Sequence, residues 1–498
     1  MLHLPILRGG RPYESLTQVT LKHVVSGEPV ATVSRANPGL IARDLESDGA
    51  ARQARLQQLP VSELLEISAE AARLYVDGEL PVGDEGQAPQ DYIRQLSATT
   101  GLPEALCRMN MEKTRFVLAE MGTVLDGLTR GMDLEVLDSG WSFRDDRCVS
   151  YRREADSLGA ILPSNSPGVH SLWIPAIGLK VPLVLKPGRQ EPWTPYRIAQ
   201  ALMAAGCPPE AFGFYPTDHN GADTILLKSG RCLIFGDEST VASWKNDPRI
   251  EIHGPGWSKV LVGADRAAER DAIVELTAES VAANGGRSCV NASGLWLAEG
   301  GDGRRTAEAL AERLAAIEAR TLDDPQARLA AFSEPRVAHL ISKQIDSQLA
   351  RGGAEDLTAA LRPGGRVAEL DGLTFLLPTV IWCEEPDHPL AQAEYLFPFV
   401  SVVERPQERI LEEMGPSLVV SALTGDQAWI AELLSSPRVE RLNLGAISTS
   451  TVVWDQPHEG NLFELLYHRR AFQGLDLAAA GRAAGTAGGA SEPPDARL

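Results

Sequence analysis

The sequence predicts an α/β protein with parallel sheets and helices on both of their faces. From residue 158 onward, short apolar stretches alternate with helical ones, which is typical of such sheets. The 498 residues suffice for about two to four domains. Hydrophobic residues make up 44% and charged residues 23% of the chain, an ordinary globular composition.

The first 153 residues contain two predicted helices and a candidate arm. Apolar residues recur at helical spacing over 61–75, and a second helix is predicted over 111–128. Residues 134–153 look like two β segments around a polar turn, so we expect a β-hairpin there.

In the middle of the chain, short apolar runs predict strands at 158–162, 181–185, 224–227, 232–235 and 260–262. Thr194 is the expected N-cap of a helix that begins at Pro195 and stops at Gly206. A long helix follows over 267–283. The polar segment 454–461 predicts a structural turn, and the Ala, Gly and Pro composition of 476–498 predicts a disordered tail.

Charge and cysteine usage exclude several classes of protein. The net charge of −20 is the opposite of a nucleic-acid footprint, and an anionic membrane would repel it. The six cysteines are dispersed without a CxxC pair, so neither a disulfide scaffold nor a metal site is predicted. Because the chain also lacks a signal-like start and a membrane-length apolar run, we expect a cytoplasmic protein without membrane insertion.

Cys289 and Asn165 are the candidate reactive groups. Cys289 lies in the glycine-rich stretch 284–291, where Arg287 or a helix N-terminus would supply positive potential to a nucleophilic thiolate. The alternative is a buried, inert cysteine. Asn165 follows a predicted strand and is suited to stabilise an oxyanion, or else is an asparagine chosen for turn geometry.

Two further segments are candidates for nucleotide binding. Lys186 ends a predicted strand, where a cation can hold a ribose hydroxyl or a phosphate; the alternative is a solvated lysine. The stretch FGDESTV over 235–241 is a strand, a turn and a helix start, which can receive a pyrophosphate. It is not a GxGxxG fingerprint, and Asp237 and Glu238 would repel phosphate.

Taken in order, these segments resemble the aldehyde dehydrogenase superfamily. The matching pieces are Asn165 in PSNSPG, Lys186 in LVLKPGRQEPWTP, the FGDESTV turn, Cys289 in NGGRSCVNASG and Glu394 in AEYLFPFVSV. The likeness is good over 155–295 and patchy over 370–470.

The resemblance implies an aldehyde dehydrogenase-like fold with a Rossmann-like cofactor domain, a catalytic α/β domain and a β-hairpin oligomerisation arm. The expected divisions are 1–133 for the N-terminal part of the cofactor domain, 134–153 for the arm, 154–265 for the Rossmann-like domain, 266–440 for the catalytic domain, 441–475 for a C-terminal return segment and 476–498 for the tail. The resemblance also implies NAD or NADP as cofactor, and a homodimer or homotetramer.

Residue by residue, the resemblance implies that Cys289 is the nucleophile and Asn165 its oxyanion donor. Lys186 falls on the lysine that holds the adenosine ribose, and Glu394 on the acidic residue that holds the nicotinamide ribose. The cofactor-binding turn comprises Phe235, Gly236 and Ser239.

Three departures from the family pattern bear on the reaction. The segment HGPGWS (253–258) replaces the one that carries the usual general base, a glutamate, which makes His253 a candidate base. Acidic Asp237 and Glu238 replace Gly-Ser, and EYLFP (394–398) replaces Glu-x-Phe-Gly-Pro. The FGDESTV and GPGWS segments are closer to the acyl-CoA reductase branch, and relatives that acylate coenzyme A commonly lack that glutamate.

The predicted reaction forms a thioester on Cys289 after hydride transfer to the nicotinamide. Losing a general base typically costs about 10²–10⁴-fold, whereas coenzyme A supplies its own thiol. The first prediction is therefore an NAD(P)-dependent oxidoreductase that interconverts an aldehyde and an acyl thioester, with coenzyme A as co-substrate. The alternatives are a hydrolytic aldehyde dehydrogenase, with His253 or another acidic residue as base, and a catalytically degenerate scaffold subunit. Substrate identity stays open; for the NAD or NADP choice, the stretch 188–190 leaves room for a 2′-phosphate contact.

Overall fold

The computed structural model describes residues 1–144, 147–457 and 459–473, so the predicted tail over 476–498 lies outside the described residues. Two seven-stranded sheets organise the described chain. The helices are Pro38–Gln57, Val61–Asp77, Pro89–Thr100, Glu104–Ala119, Met121–Thr129, Val136–Ser139, Pro175–Gly178, Trp193–Ala204, His219–Lys228, Glu238–Val241, Arg270–Ala282, Gly303–Ala315, Pro335–Leu349, Gln407–Glu413, Gln427–Ser435 and Leu462–Leu466.

The first sheet has a parallel core closed by an antiparallel hairpin. In spatial order its strands are Ile250–His253, Arg231–Phe235, Leu158–Ile161, Leu183–Lys186, Phe212–Phe214, Ile6–Arg8 and Arg11–Tyr13. The first five run parallel, and Ile6–Arg8 pairs antiparallel with Phe212–Phe214. All four residues of the central strand Leu158–Ile161 are buried, as expected where helices cover both faces of a parallel sheet.

The second sheet is parallel except at one edge. In spatial order its strands are Ala354–Asp356, Thr379–Cys383, Phe399–Arg405, Gly294–Ala298, Lys259–Val262, Ser417–Leu423 and Val439–Leu444, the first of them antiparallel. The remaining strands are His3–Leu4, Gln18–Lys22, Pro29–Ser34, Leu80–Val82, Glu85–Gln87, Trp141–Arg144, Arg147–Arg153, Val367–Leu370, Leu373–Leu376 and Tyr467–Arg470. These two sheets confirm the predicted α/β class.

Helix Val61–Asp77 packs on helices Glu104–Ala119 and Trp193–Ala204 through the face that its sequence predicts. In Val61–Asp77 the buried positions recur every three or four residues, from Val61 to Tyr75. A buried arginine, Arg197 of helix Trp193–Ala204, donates to the backbone oxygens of Tyr75, Gln87 and Gly78 at 2.8–3.0 Å. This guanidinium therefore ties three N-terminal segments to the core, because each of those carbonyls needs a buried donor.

Several sequence predictions are wrong in detail. Residues 224–227 belong to helix His219–Lys228 rather than to a strand, because the Asp218 carboxylate accepts from Gly221 N and caps that helix. The helix predicted from Pro195 begins at Trp193, and Thr194 N donates to the Glu191 carboxylate at 2.8 Å instead of marking a cap.

Two of the predicted segment boundaries differ from the strand pairing in the structure. Strand Lys259–Val262, placed by prediction in the cofactor domain (154–265), pairs in the second sheet, so the first sheet ends at His253. Of the predicted arm, 134–140 contains the helix Val136–Ser139, and only the later part forms the hairpin. Strand Tyr467–Arg470 of the predicted return segment completes that hairpin as a third strand.

No described helix combines the length and the apolar character needed to cross a membrane.

Candidate active site

The predicted site residues lie where the two large sheets face each other. Asn165, Lys186 and His253 follow or end strands at the carboxyl edge of the first sheet, whereas Cys289 precedes strand Gly294–Ala298 at the amino edge of the second. A cleft of about 360 Å³ opens between the two edges and is lined by His253, Cys289 and Glu459 among others. The fold thus gathers residues that are far apart in the chain.

Cys289 sits on a turn that the surrounding backbone holds rigidly. After helix Arg270–Ala282 the chain reverses through Asn284 and two glycines with positive φ, of which Gly286 (φ +69°) lies against the Phe397 carbonyl. A Cβ on Gly286 would approach that carbonyl carbon to 2.4 Å, so the position requires glycine. Asn291 then accepts from Ser288 N at 2.9 Å, which fixes the turn on which the thiol is carried.

The Cys289 thiol faces a carboxylate that the sequence did not reveal. Its Sγ lies 3.9 Å and 3.8 Å from the two carboxylate oxygens of Glu459, to which it donates. Burial, together with the negative charges of Glu459 and Glu394, holds the pKa of the Cys289 thiol well above its usual value. The thiol is therefore protonated at rest, with a proton acceptor beside it.

Arg287 does not activate Cys289 as the sequence suggested. Its guanidinium stacks on the Phe332 ring, 4.5 Å from the centroid, and donates to the carbonyls of Ala330 and Ala331. Burial lowers the pKa of Arg287 to about 10. The arginine therefore braces a neighbouring loop rather than facing the sulfur.

His253 lies between two carboxylates. Its Nδ1 is 3.6 Å from Glu459 and its Nε2 is 3.4 Å from Glu251, while the ring stacks on Phe235 at 4.5 Å. Burial lowers the pKa of His253, but the hydrogen bonds and charges of Glu251 and Glu459 outweigh it and raise the pKa to about 9. An imidazolium has no free lone pair. The raised pKa favours an imidazolium beside Glu459, and the predicted role of His253 as base stays a prediction.

Asn165 reaches the nucleophile turn. Its Nδ2 donates to the Arg287 carbonyl at 2.7 Å, two residues before Cys289. The amide nitrogen carries two hydrogens, so one of them is available to a second acceptor. The position fits the predicted oxyanion role, which stays a prediction.

Glu394 anchors the HGPGWS segment. Its carboxylate accepts from Gly256 N at 3.1 Å and from Trp257 N, and burial raises its pKa to about 7. Beneath this loop Lys259 Nζ donates to the Trp257 carbonyl at 2.6 Å and to Ser417 Oγ at 3.0 Å. Burial lowers the pKa of Lys259 to about 7. The predicted contact of Glu394 with a nicotinamide ribose stays a prediction.

Lys186 lies in a separate cavity of about 480 Å³ at the carboxyl edge of the first sheet. Gly188 lets the wall approach closely, because a Cβ there would come within 2.3 Å of the Pro163 carbonyl oxygen. The size of this cavity, and the Lys186 cation at the carboxyl end of a strand, suit the adenosine half of a dinucleotide. The adenosine end of NAD or NADP therefore fits the residues present.

The predicted pyrophosphate turn already has an internal anion. The Asp237 carboxylate accepts from Thr240 N at 2.8 Å and from Ser239 Oγ at 2.7 Å, so it caps the short helix Glu238–Val241. These hydrogen bonds, of which the one from Ser239 has the largest effect, lower the pKa of Asp237. A phosphate at this turn would have to displace a carboxylate, and the assignment of Phe235, Gly236 and Ser239 to the cofactor stays a prediction.

The sequence model of the Aldehyde dehydrogenase family matches residues 86–414, about two thirds of the chain. The chain belongs to this family. Mouse (Mus musculus) retinaldehyde dehydrogenase 3 is 27% identical over 362 residues, covering 68% of this chain and 65% of that relative. The 2-hydroxymuconic semialdehyde dehydrogenase of Pseudomonas sp. strain CF600 is 24% identical over 411 residues, covering 78% and 77%.

Solved structures of the family confirm the predicted aldehyde dehydrogenase-like fold. The aldehyde dehydrogenase KauB from Pseudomonas aeruginosa superposes with a TM-score of 0.77 at 17% identity, covering 95% of this chain and 96% of that one. A putative aldehyde dehydrogenase from Burkholderia cenocepacia gives a TM-score of 0.75 at 17% identity, with 94% of each chain covered.

Glu459 is the functional candidate that the sequence missed. It lies beyond the residues matched by the family model, and its only local signal is the polar segment 454–461, which by itself predicts a turn. The fold returns this segment to the cleft, where Glu459 meets both Cys289 and His253. Such a contact across 170 residues has no periodic signature in the chain.

Proposed function

We propose that this protein is an NAD(P)-dependent dehydrogenase that oxidises an aldehyde to a carboxylic acid through a thioester on Cys289. The observation that carries the proposal is the Glu459 carboxylate, 3.8 Å from the Cys289 sulfur and held beside the His253 ring. A base adjacent to the nucleophile is what the hydrolysis of a thioester requires.

In the first step the Cys289 sulfur attacks the aldehyde carbon while its proton passes to Glu459. The raised pKa of the thiol makes this proton transfer necessary, and the short S–O distance makes it direct. The carbonyl oxygen becomes an oxyanion that accepts from the Asn165 amide and from the Cys289 backbone N–H. The oxyanion collapses to the thioester as a hydride leaves this carbon. NAD(P), which Lys186 and Glu394 would hold, would supply the acceptor for that hydride.

In the second step water adds to the thioester carbon. Glu459, having released its first proton to solvent, takes a proton from that water. The carbon–sulfur bond then breaks, and Glu459 returns that proton to the departing sulfur, which leaves the acid and the Cys289 thiol. The His253 ring, whose Nδ1 lies 3.6 Å from a Glu459 oxygen, supplies positive charge beside this carboxylate. The base thus sits at 459, and the histidine at 253 supports it.

The acylating reaction is the second candidate, and the HGPGWS segment favours it. The family resemblance places the usual base at His253, which is not a carboxylate. An enzyme of that kind would pass the acyl group to the thiol of coenzyme A, or run in reverse as an acyl-CoA reductase. A cytoplasmic homodimer or homotetramer, with the three-stranded arm as contact, completes the proposal.

One experiment separates the candidates. Absorbance at 340 nm is followed with a panel of aldehydes and either cofactor, with and without coenzyme A, while the acid product is quantified. We expect reduction without coenzyme A and one acid for each NAD(P)H formed. Reduction that requires coenzyme A would replace the hydrolytic proposal with the acylating one. Unchanged turnover in a Cys289→Ala variant would exclude both enzyme candidates as written. No reduction with or without coenzyme A, and no reductase activity with acyl-CoA, would leave the scaffold.

A further inference from the structure

The cavity around Lys186 presents an unusual concentration of positive charge. Its lining includes the cationic side chains of Lys186, Arg35 and Arg189. Among its lining residues the single carboxylate is Asp218, whose Oδ2 lies 3.0 Å from Arg35 Nη2. The other oxygen of Asp218 accepts from Gly221 N at 3.2 Å, so this carboxylate is committed to a helix cap and to Arg35.

Lys186 lacks a carboxylate within ion-pair distance in the described part of the chain. The charged side chain that shifts the pKa of Lys186 is Arg35, which is also a cation. Burial, and then the charge of Arg35, lower the pKa of Lys186. Two neighbouring cations are costly to a folded chain, and an anion bound between them removes that cost. The site is therefore built for an anionic group.

The sign of this charge matters for the adenosine ribose. Dinucleotide sites that take NAD place a carboxylate against the ribose 2′-hydroxyl, whereas an arginine accommodates the 2′-phosphate of NADP. In this cavity the Asp218 carboxylate forms an ion pair with Arg35. Arg35 and Arg189 line the same cavity as Lys186, the residue expected to hold the ribose. A guanidinium also matches phosphate geometry better than an ammonium does.

We propose that Arg35, with Arg189 and Lys186, binds the 2′-phosphate of NADP and makes NADP the preferred cofactor. Arg35 follows strand Pro29–Ser34 and lies outside the residues that the family model matches, 86–414. Asp218 acts as a positioning residue that holds the guanidinium toward the cavity. The inference rests on the proposed dehydrogenase function and specifies its cofactor.

The test uses two nucleotides that differ in the 2′-phosphate alone, 2′,5′-ADP and 5′-AMP. Their dissociation constants are measured on the full chain by titration calorimetry. We expect 2′,5′-ADP to bind at least about tenfold more tightly, as one charge-assisted contact allows. In Arg35→Gln this preference should fall by about tenfold, the value of one charge-assisted contact, and added salt should weaken 2′,5′-ADP more than 5′-AMP in the wild type.

Arg94→Gln is the matched control, because Arg94 is an exposed arginine that also lies near an aspartate, Asp91 at 3.8 Å. It should keep the full nucleotide preference. A circular dichroism spectrum and melting temperature equal to wild type would show that Arg35→Gln is folded.

Equal binding of the two nucleotides by the wild type, or a preference that is undiminished in Arg35→Gln, would overturn the proposal. NAD-linked aldehyde oxidation together with equal nucleotide binding would refute the NADP preference alone. If neither nucleotide binds and neither cofactor supports turnover, the proposed function falls with it.

Discussion

Replacing Glu459 by glutamine should make Cys289 more reactive toward alkylation and at the same time slow aldehyde turnover. The carboxylate lies 3.8 Å from the sulfur and its negative charge raises the pKa of the thiol. Two unit charges about 4 Å apart interact by about 4 kcal/mol at an effective dielectric constant of about 20, or about three pKa units at most. The His253 cation, 3.6 Å from the same carboxylate, offsets part of this.

We therefore expect the pKa of the Cys289 thiol to fall in Glu459→Gln, because a negative charge beside the sulfur is removed. Iodoacetamide should then modify Cys289 about 10- to 100-fold faster at neutral pH, because the thiolate is the reacting species. Steady-state turnover should fall about 10²–10⁴-fold, the usual cost of losing a general base. The assay is mass-spectrometric alkylation at a series of pH values, beside NAD(P)H formation.

The control is Glu464→Gln, which removes an exposed carboxylate of the same segment that pairs with Arg130. It should leave both rates at wild-type values. An alkylation rate that is unchanged or slower in Glu459→Gln would refute the electrostatic reasoning. Full turnover in that variant would refute Glu459 as the base.

Three other perturbations test the surrounding structure. Glu251 and Glu459 raise the pKa of His253 from 6.5 to about 9. Protonated His253 therefore stabilises the fold fully below about pH 6.5, and this contribution is lost as pH rises through about 9. The melting temperature of the wild type, but not of His253→Gln, should fall over that interval. Asp237→Ala should lower the free energy of unfolding in urea by about 0.5–2 kcal/mol, whereas Asp237→Asn, which keeps the cap, should not. Gly286→Ala should cost about 1–3 kcal/mol from its positive φ alone, and a refolding titration equal to wild type would contradict the required close approach to Phe397.

Local signals in the sequence predicted much of this fold. The strands near 158 and 232 carry continuous apolar runs, and the helix over 61–75 has a clear period, so each could be read from a window of a few residues. Residues 224–227 could not, because a short apolar run suits a strand or a helix equally and the deciding cap, Asp218, lies six residues earlier.

The assignment of strand Lys259–Val262 failed for a different reason. Only five residues separate it from strand Ile250–His253 of the first sheet, yet it pairs with strands that begin at 294 and 417. Nothing local distinguishes a strand that continues a sheet from one that starts the next. The same limit applies to the site. Cys289 and Asn165 lie in motifs that can be recognised in the sequence, whereas Glu459 comes next to Cys289 and His253 only through the fold.

The charges around Cys289 form a consistent set once Glu459 is included. A histidine between two carboxylates is held as a cation, and a cation cannot take the proton that thioester hydrolysis releases. The Glu459 carboxylate lies between that histidine and the thiol, 3.6 Å from the ring and 3.8 Å from the sulfur, and is the acceptor that we propose. In the proposed hydrolysis, a carboxylate from the C-terminal segment, Glu459, is therefore the base, and His253 is its neighbouring cation.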